Sequence, residues 1–305
     1  MSSLQLLLPP LARFDGAPAL KRWLARGDRL PDALRGREPA LREVFRVPGT
    51  TLPVAALLRE HVARDAGENF WLGADPAYVR AEAHGARLLA CGDELQLTLA
   101  EADSLAQPLR PLFGDAGAPL EITSPGQWAL RLPPGARVPE FVSPEQALGA
   151  NLLEHLPQGD AGRRWRALFN EAQIILHSHA VNARRRERGL MPVNALWFWG
   201  AGALPMWVTS SLRLAVSNDP FVRALAAQAG VTAAALAPAA LDQIERRADA
   251  LLDLGWQNAE PIEPEWLPRI DALLRGGRTK AVAVAFASGE RFRIRRWHRW
   301  RVWRK

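Results

Sequence analysis

Apolar and polar positions alternate in short blocks along the chain, and their period changes from block to block. Ser3 to Leu8 is a Leu-rich run that reads as a buried strand. Leu20, Trp23 and Leu24 recur at helical spacing within residues 17–26, and Val54 to Ala63 reads as a second helix. Residues 29–50 are rich in Pro, Gly and Arg and predict irregular chain with a helix at 39–46, and Arg64 to Glu68 is a polar break. From about residue 70 the blocks shorten. Arg87–Cys91 and Glu94–Leu97 predict a hairpin around Gly92-Asp93. Thr98 with Glu101 three positions on is a capping box that opens a helix carrying Leu99, Leu105 and Leu109. Leu120–Thr123 and Trp128–Leu132 predict two strands around Ser124-Pro125-Gly126. Trp165, Leu168, Phe169, Ala172, Ile175, Leu176, His179 and Asn182 fall on one face of a single long helix from Gly162 to Arg188, ended by Gly189 and Pro192. Asn194–Trp199 then reads as a buried strand closed by Gly200-Ala201-Gly202. Helices are expected over 219–229 and 239–254, and a final hairpin joins Lys280–Ala287 to Glu290–Ile294.

This alternation predicts an α/β fold in four segments. Residues 1–69 are the first part of an α/β core, 70–135 a small α+β insertion domain, 136–290 a helix-rich second part of the core, and 291–305 a basic Trp/Arg tail. With 48% hydrophobic and 23% charged residues, the 305-residue chain has the composition of a folded protein rather than a disordered one. The single cysteine, Cys91, excludes an intrachain disulfide and a Cys-based zinc site, and a lone thiol fits a reducing compartment. It reads as a small strand residue. Met1–Leu11 places no basic residue before its apolar run. Ala195–Thr209, the longest apolar stretch, is interrupted by Gly200, Gly202 and Pro205, so neither a secretory leader nor a membrane span is expected, and the expected location is cytoplasmic. The net charge of +7 is local: residues 291–305 hold seven Arg, one Lys and no acid, which leaves the rest near −1.

Residues 177–205 read HSHAVNARRRERGLMPVNALWFWGAGALP. This stretch resembles the central signature of the archaeal-type cofactor-independent phosphoglycerate mutases of the alkaline phosphatase superfamily. That signature runs His-Pro-Val-Asn, Arg, Gly, then Pro-x-Asn-x-x-Trp-x-Trp-Gly-x-Gly. It falls here on His179, Val181, Asn182, Arg185, Gly189, Pro192, Asn194, Trp197, Trp199, Gly200 and Gly202, with Ala180 in place of the family's Pro. Asn170-Glu171, His155 to Gly159 and Ala74-Asp75-Pro76 also match. The likeness extends to a bacterial group of RpfE-type regulatory, phosphoglycerate-mutase-like proteins. The resemblance implies an alkaline-phosphatase-like α/β core with an inserted α+β domain. It also implies phosphotransfer with two metal ions held by Asp and His and a Ser or Thr nucleophile. The chain departs from that pattern: no Asp-His pair occurs, the only His after residue 200 is His298, and the first strand runs into Leu7-Leu8-Pro9-Pro10 where the family places a metal-binding Asp. The expectation is a pseudoenzyme with no metal and no cofactor, regulatory or metabolite-binding, taking a phosphorylated or carboxylated ligand. An active metal-dependent mutase or phosphatase with rearranged ligands is the alternative.

Ligand-binding candidates are His179, Asn182, Arg185, Asn194, Trp197 and Trp199. Two positions apart on a helix, His177 and His179 point apart and cannot share one ion. His179 on the apolar face beside Asn182 is expected instead. Arg184, Arg185, Arg186 and Arg188 suit a helix C-terminus as a solvated face, and Arg185 alone also matches the signature. Asp242, Asp249 and Asp253 are expected on the solvated side of the helix at 239–254. In the tail, Arg295, Arg296, Trp297, Arg299, Trp300, Arg301 and Trp303 interleave guanidinium and indole groups. That pattern suits a polyanion, either single-stranded nucleic acid or an anionic membrane surface. It equally suits an amphipathic tail that packs its Trp on the body and leaves its Arg in water.

Overall fold

The computed structural model describes residues 3–83, 85–245, 248–255 and 259–301. The chain opens with β1 (Ser3–Leu8), α1 (Pro18–Ala25), β2 (Asp28–Leu30), α2 (Glu38–Val44) and β3 (Phe45–Arg46). It continues through α3 (Val54–Ala63), β4 (Phe70–Glu82), β5 (Gly85–Cys91), α4 (Leu99–Ala106), α5 (Leu109–Asp115), β6 (Leu120–Ser124) and β7 (Gln127–Leu132). The short α6 (Pro144–Ala147) and α7 (Leu152–His155) lead to α8 (Gly159–His177), α9 (Ala180–Glu187) and β8 (Ala195–Ala203). The remainder supplies β9 (Thr209–Ser210), β10 (Leu212–Val216), α10 (Pro220–Gln228), β11 (Thr232–Ala234), β12 (Asp249–Asp253), α11 (Leu267–Arg275), β13 (Ala281–Phe286) and β14 (Arg291–Arg295).

Two compact units result. The first joins Met1–Pro48 to Met206–Lys305, and the second is Gly49–Pro205. In the first, a seven-stranded sheet has the order β11-β10-β12-β1-β13-β14-β2. The five strands β11 to β13 are parallel, and β14 and β2 add antiparallel pairings at one side. Central parallel strands are covered on both faces, so their sequences are near-continuous apolar runs. Leu4, Leu6, Leu8, Val216, Leu252, Val284 and Phe286 form the middle of this core. In the second unit, the 13-residue β4 pairs antiparallel with β5, β7 and β8, and β6 pairs with β7. Trp128, Phe113, Leu168, Phe169, Leu196 and Phe198 belong to its core.

Many of the expected elements form, including the Thr98 cap: Thr98 Oγ1 accepts from Glu101 N–H at 3.2 Å and Thr98 N–H donates to Glu101 Oε2 at 3.0 Å. Four expectations are corrected. β8, the strand expected in the other core, pairs along β4 through Ala77↔Ala195 and Phe70↔Ala203. It therefore belongs with the hairpins of residues 70–135, and the compact-unit boundaries fall at 48/49 and 205/206 rather than at 69/70 and 135/136. The supposed hairpin at Gly92-Asp93 is a single turn, Gly92–Leu95, curled by Glu94 Oε2 accepting from Cys91 N–H at 3.2 Å, and β5 pairs with β4 instead. The long helix breaks at Ser178-His179 into α8 and α9. Residues 249–253, read as the end of a helix, are β12; Ala250, Leu251 and Leu252 lie between β10 and β1 in a parallel sheet and so show no strand alternation. Among the described residues no helix is long and apolar enough to cross a membrane.

Candidate functional site

The signature residues lie in the second unit, and each has its polar atoms engaged by the unit's own chain. His179 is not on an apolar helix face. It stands in extended backbone between α8 and α9 and caps α9, its Nδ1 accepting from Val181 N–H at 3.3 Å. Fully buried Asn182 donates through Nδ2 to the carbonyls of Leu176 (2.7 Å) and Val193 (2.6 Å), and its Oδ1 accepts from Val193 N–H at 2.8 Å. The helix break is thereby covered by a side-chain amide that also holds the segment entering β8. Arg185, equally buried, donates from Nε to the Met191 carbonyl (2.8 Å), from Nη1 to Glu101 Oε2 (3.0 Å) and from Nη2 to the Leu95 carbonyl. Asn194 extends the β4–β8 ladder, accepting from Val79 N–H at 2.8 Å and donating to the Val79 carbonyl at 2.7 Å. Trp197 Nε1 donates to the Val142 carbonyl at 2.8 Å. The structure thus sets Asn182 against Val193, the neighbour of Asn194, while Arg185 makes its contacts with Met191, Leu95 and Glu101. Arg184, Arg186 and Arg188 are exposed, as a solvated face requires.

Trp199 leads to a carboxyl group inside this unit. Its Nε1 donates to Asp75 Oδ2 at 2.6 Å, and Trp128 N–H donates to Asp75 Oδ1 at 3.0 Å. Gly73 is small because Trp199 lies against it: a Cβ there would stand 2.9 Å from the Trp199 carbonyl oxygen. Burial pushes the Asp75 carboxyl up to about 7, against two hydrogen bonds that favour its ionised form. Burial also pushes the Cys91 thiol up, which fits a packed strand residue and not a nucleophile.

A second cluster was not anticipated. It forms in the first unit at the carboxyl ends of the parallel strands, the edge where open α/β sheets bind ligands. β10 and β12 are neighbours in register, Val216 opposite Leu252, so the residues that follow them meet. Ser217 Oγ donates to Asp253 Oδ2 at 2.8 Å and accepts from Asp219 N–H at 3.0 Å. Asp219 Oδ1 caps α10, accepting from Phe221 N–H (2.7 Å) and Val222 N–H (3.2 Å). The Arg37 guanidinium joins the two acids, with Nη1 3.0 Å from Asp253 Oδ2 and Nη2 2.6 Å from Asp219 Oδ2. Arg37, Ser217 and Asp253 are buried and Asp219 is partly so, with side-chain exposure of 8% for Arg37, 9% for Asp219 and 1% for Asp253. Arg37 is delivered there by a loop pinned to the β13–β14 turn, Ala33 N–H on the Gly289 carbonyl and Gly36 N–H on the Ala287 carbonyl, each at 2.9 Å. Gly255 leaves room for it, since a Cβ there would stand 2.7 Å from Arg37 Cδ. Burial raises the Asp253 carboxyl, with Arg37 opposing. The sequence carried one signal for this site. Ser217-Asn218-Asp219-Pro220 after an apolar run is a strand end, an N-cap and a first-turn Pro in succession.

The two-metal chemistry implied by the resemblance can be tested against these side chains. At this edge β1 ends in Leu8 followed by Pro9, which offer no ligand, and the carboxylates of β10 and β12 face a cation already fixed by the chain. Among the described residues no group of three His, Cys, Asp or Glu could hold a metal ion. The donor set does not fit two metals. Ser217 is no free nucleophile either, because its hydroxyl both donates and accepts within the cluster. In the tail, Trp297 and Trp300 do not pack inward as an amphipathic tail would require, while Arg293, Arg296 and Arg299 are exposed. His298 is buried and Arg301 binds Asp28, while Trp297 and Trp300 are 51% and 67% exposed. Trp303 lies outside the described residues.

No family model matches the chain. It is 41% identical over 64 residues to a probable 2,3-bisphosphoglycerate-independent phosphoglycerate mutase of Geobacter sulfurreducens, covering 21% of this chain and 16% of the relative. It is 38% identical over 66 residues to the corresponding mutase of Methanosarcina barkeri, covering 22% and 17%. The matched segments thus span about a sixth of the curated relatives. Among solved structures it overlays on a Pyrococcus horikoshii protein with a TM-score of 0.45 at 14% identity, covering 96% of this chain and 87% of that one. A cofactor-independent phosphoglycerate mutase of Thermoplasma acidophilum gives a TM-score of 0.40 at 15% identity, covering 97% and 90%. The protein is a mixed α/β chain whose described residues form a seven-stranded sheet, a five-stranded sheet and a two-stranded β3–β9 pair. It is related, through a segment about a fifth of its length, to the cofactor-independent phosphoglycerate mutases.

Two outcomes are expected. Asp75 has a folded-state value above its unfolded one, so the native state retains a proton that the unfolded chain releases between about pH 4 and pH 7. Its contribution is most favourable below that window and falls as pH rises through 7, by about 4 kcal/mol in all. Urea melts across this range should show wild type losing stability relative to Asp75→Asn as pH rises. A pH-independent difference contradicts the assignment. Arg37→Met should cost about 3–5 kcal/mol at neutral pH, since it strands two buried carboxylates. The loss should shrink in acid as they protonate. A loss below about 1 kcal/mol would show that the cluster is not held by the guanidinium.

Proposed function

We propose that this protein is a non-catalytic, phosphoglycerate-mutase-like regulatory or binding protein of the RpfE type, its first unit a degenerate alkaline-phosphatase-like core. The observation that carries the reading is Arg37 seated between Asp219 and Asp253. Two-metal phosphotransfer relies on cations that stabilise both the attacking and the leaving oxygen. Here the carboxylates at the strand ends are neutralised by a side chain that cannot leave and cannot act as a Lewis acid. The relation to the mutases is consistent with this, because the signature residues serve as hydrogen-bonded staples of the second unit. A phosphorylated or carboxylated metabolite is the ligand class that the relation favours.

The test is turnover. Full-length protein with added Mn²⁺ or Zn²⁺ should not interconvert 3- and 2-phosphoglycerate above a protein-free control. Interconversion that is abolished by chelation would overturn the reading in favour of a metal-dependent mutase with rearranged ligands.

A further inference from the structure

The tail forms part of the first unit and is fastened to it by one acid. After β14 the chain makes a single turn, Arg296–Trp300. Asp28 on β2 receives Arg301 Nη1 at 2.7 Å and Arg295 Nη1 at 3.4 Å, and His298 Nε2 stands 3.4 Å from it. The hydrogen bond from Arg301 holds the Asp28 carboxyl below the usual range. This anchorage leaves a pocket of about 50 Å³ beside the turn, with Arg26, Arg275, Arg295, Arg296 and Arg299 in its lining. Asp271 is the one acid there, and it is engaged by Arg275 and by Trp23 Nε1. Among the described residues no carboxylate pairs with Arg26, Arg296 or Arg299. At roughly 10–15 Å³ per water, the pocket has room for about three to five waters, the scale of one phosphate group.

The indoles stand next to this pocket. Arg299 stacks over Trp300 at 4.7 Å and Arg301 over Trp297 at 4.3 Å, while both rings keep half or more of their surface in solvent. Guanidinium groups without acid partners select phosphate oxygens by charge and by their planar donor fork. Open indole faces select flat bases.

From this juxtaposition we propose that the turn Arg296–Trp300 and the adjoining arginine pocket form a binding site for single-stranded nucleic acid, Arg26, Arg296 and Arg299 holding backbone phosphate and Trp300 stacking on a base. This goes beyond the non-catalytic reading and does not depend on it. Charge and stacking are separable in the experiment. Fluorescence anisotropy of a labelled oligothymidylate with the full-length protein, repeated over a range of salt, gives an affinity and a salt slope. Each phosphate contact adds about −0.7 to the slope of log K against log salt for a single strand. Arg26→Ala/Arg296→Ala/Arg299→Ala should make the slope shallower by about 2. Trp300→Ala should weaken binding about tenfold with the slope unchanged. All four side chains are at least partly exposed, and thermal melts confirm that the variants fold. The proposal is overturned if the wild type fails to bind the oligonucleotide, or if the variants bind as it does. It is equally overturned if the site serves phosphatidylserine vesicles in a Trp300-dependent way while oligonucleotide binding is indifferent to Trp300.

Discussion

Removing a guanidinium and two carboxylates from water costs several kcal/mol per ion, and a fold tolerates this only where their mutual attraction and further hydrogen bonds compensate. In this protein those ions are Arg37, Asp219 and Asp253, and much of the first unit is arranged around them. The loop of residues 33–36 is tied to the β13–β14 turn, and α10 starts on Asp219. Ser217 bridges the ends of β10 and β12, and Gly255 clears the space that Arg37 occupies. At the carboxyl ends of the parallel strands, this chain holds an intramolecular cation between two acids.

The second unit shows what the signature residues do for the fold. Asn182, Arg185, Asn194, Trp197 and Trp199 each close hydrogen bonds that loops cannot make for themselves: a carbonyl at the helix break and one entering β8, three acceptors around Arg185, a ladder rung just before β8, the Val142 carbonyl and a buried carboxyl group. Buried polar groups without partners are expensive, so such residues are demanded by the fold whatever the reaction.

The parts of the fold that were legible in the sequence are those set by neighbours along the chain. The apolar run of β1, the Thr98 capping box, the turn between β6 and β7 and the terminal hairpin all follow from local pattern. β12 was not legible, because a strand buried on both faces has no alternation, and Leu241, Ile244, Ala248 and Leu251 mimic helical spacing. The signature residues were legible as a set, but their partners are loop carbonyls that only the fold supplies. The Arg37 cluster draws on three stretches near 37, 217–219 and 253, the last two brought together by parallel register and the first by a loop tied to the β13–β14 turn. The tail was legible in composition, not in orientation, since that is decided by Asp28 on a distant strand.

The proposed non-catalytic reading turns on the Arg37 guanidinium fixed between Asp219 and Asp253. Calorimetric titration of Mn²⁺ or Zn²⁺ into the full-length protein, paired with melting curves, tests it most directly. The account predicts no saturable uptake at micromolar metal and an unchanged midpoint. Two equivalents of tightly bound metal with a raised midpoint, lost when Asp219 and Asp253 are replaced by Asn, would contradict it.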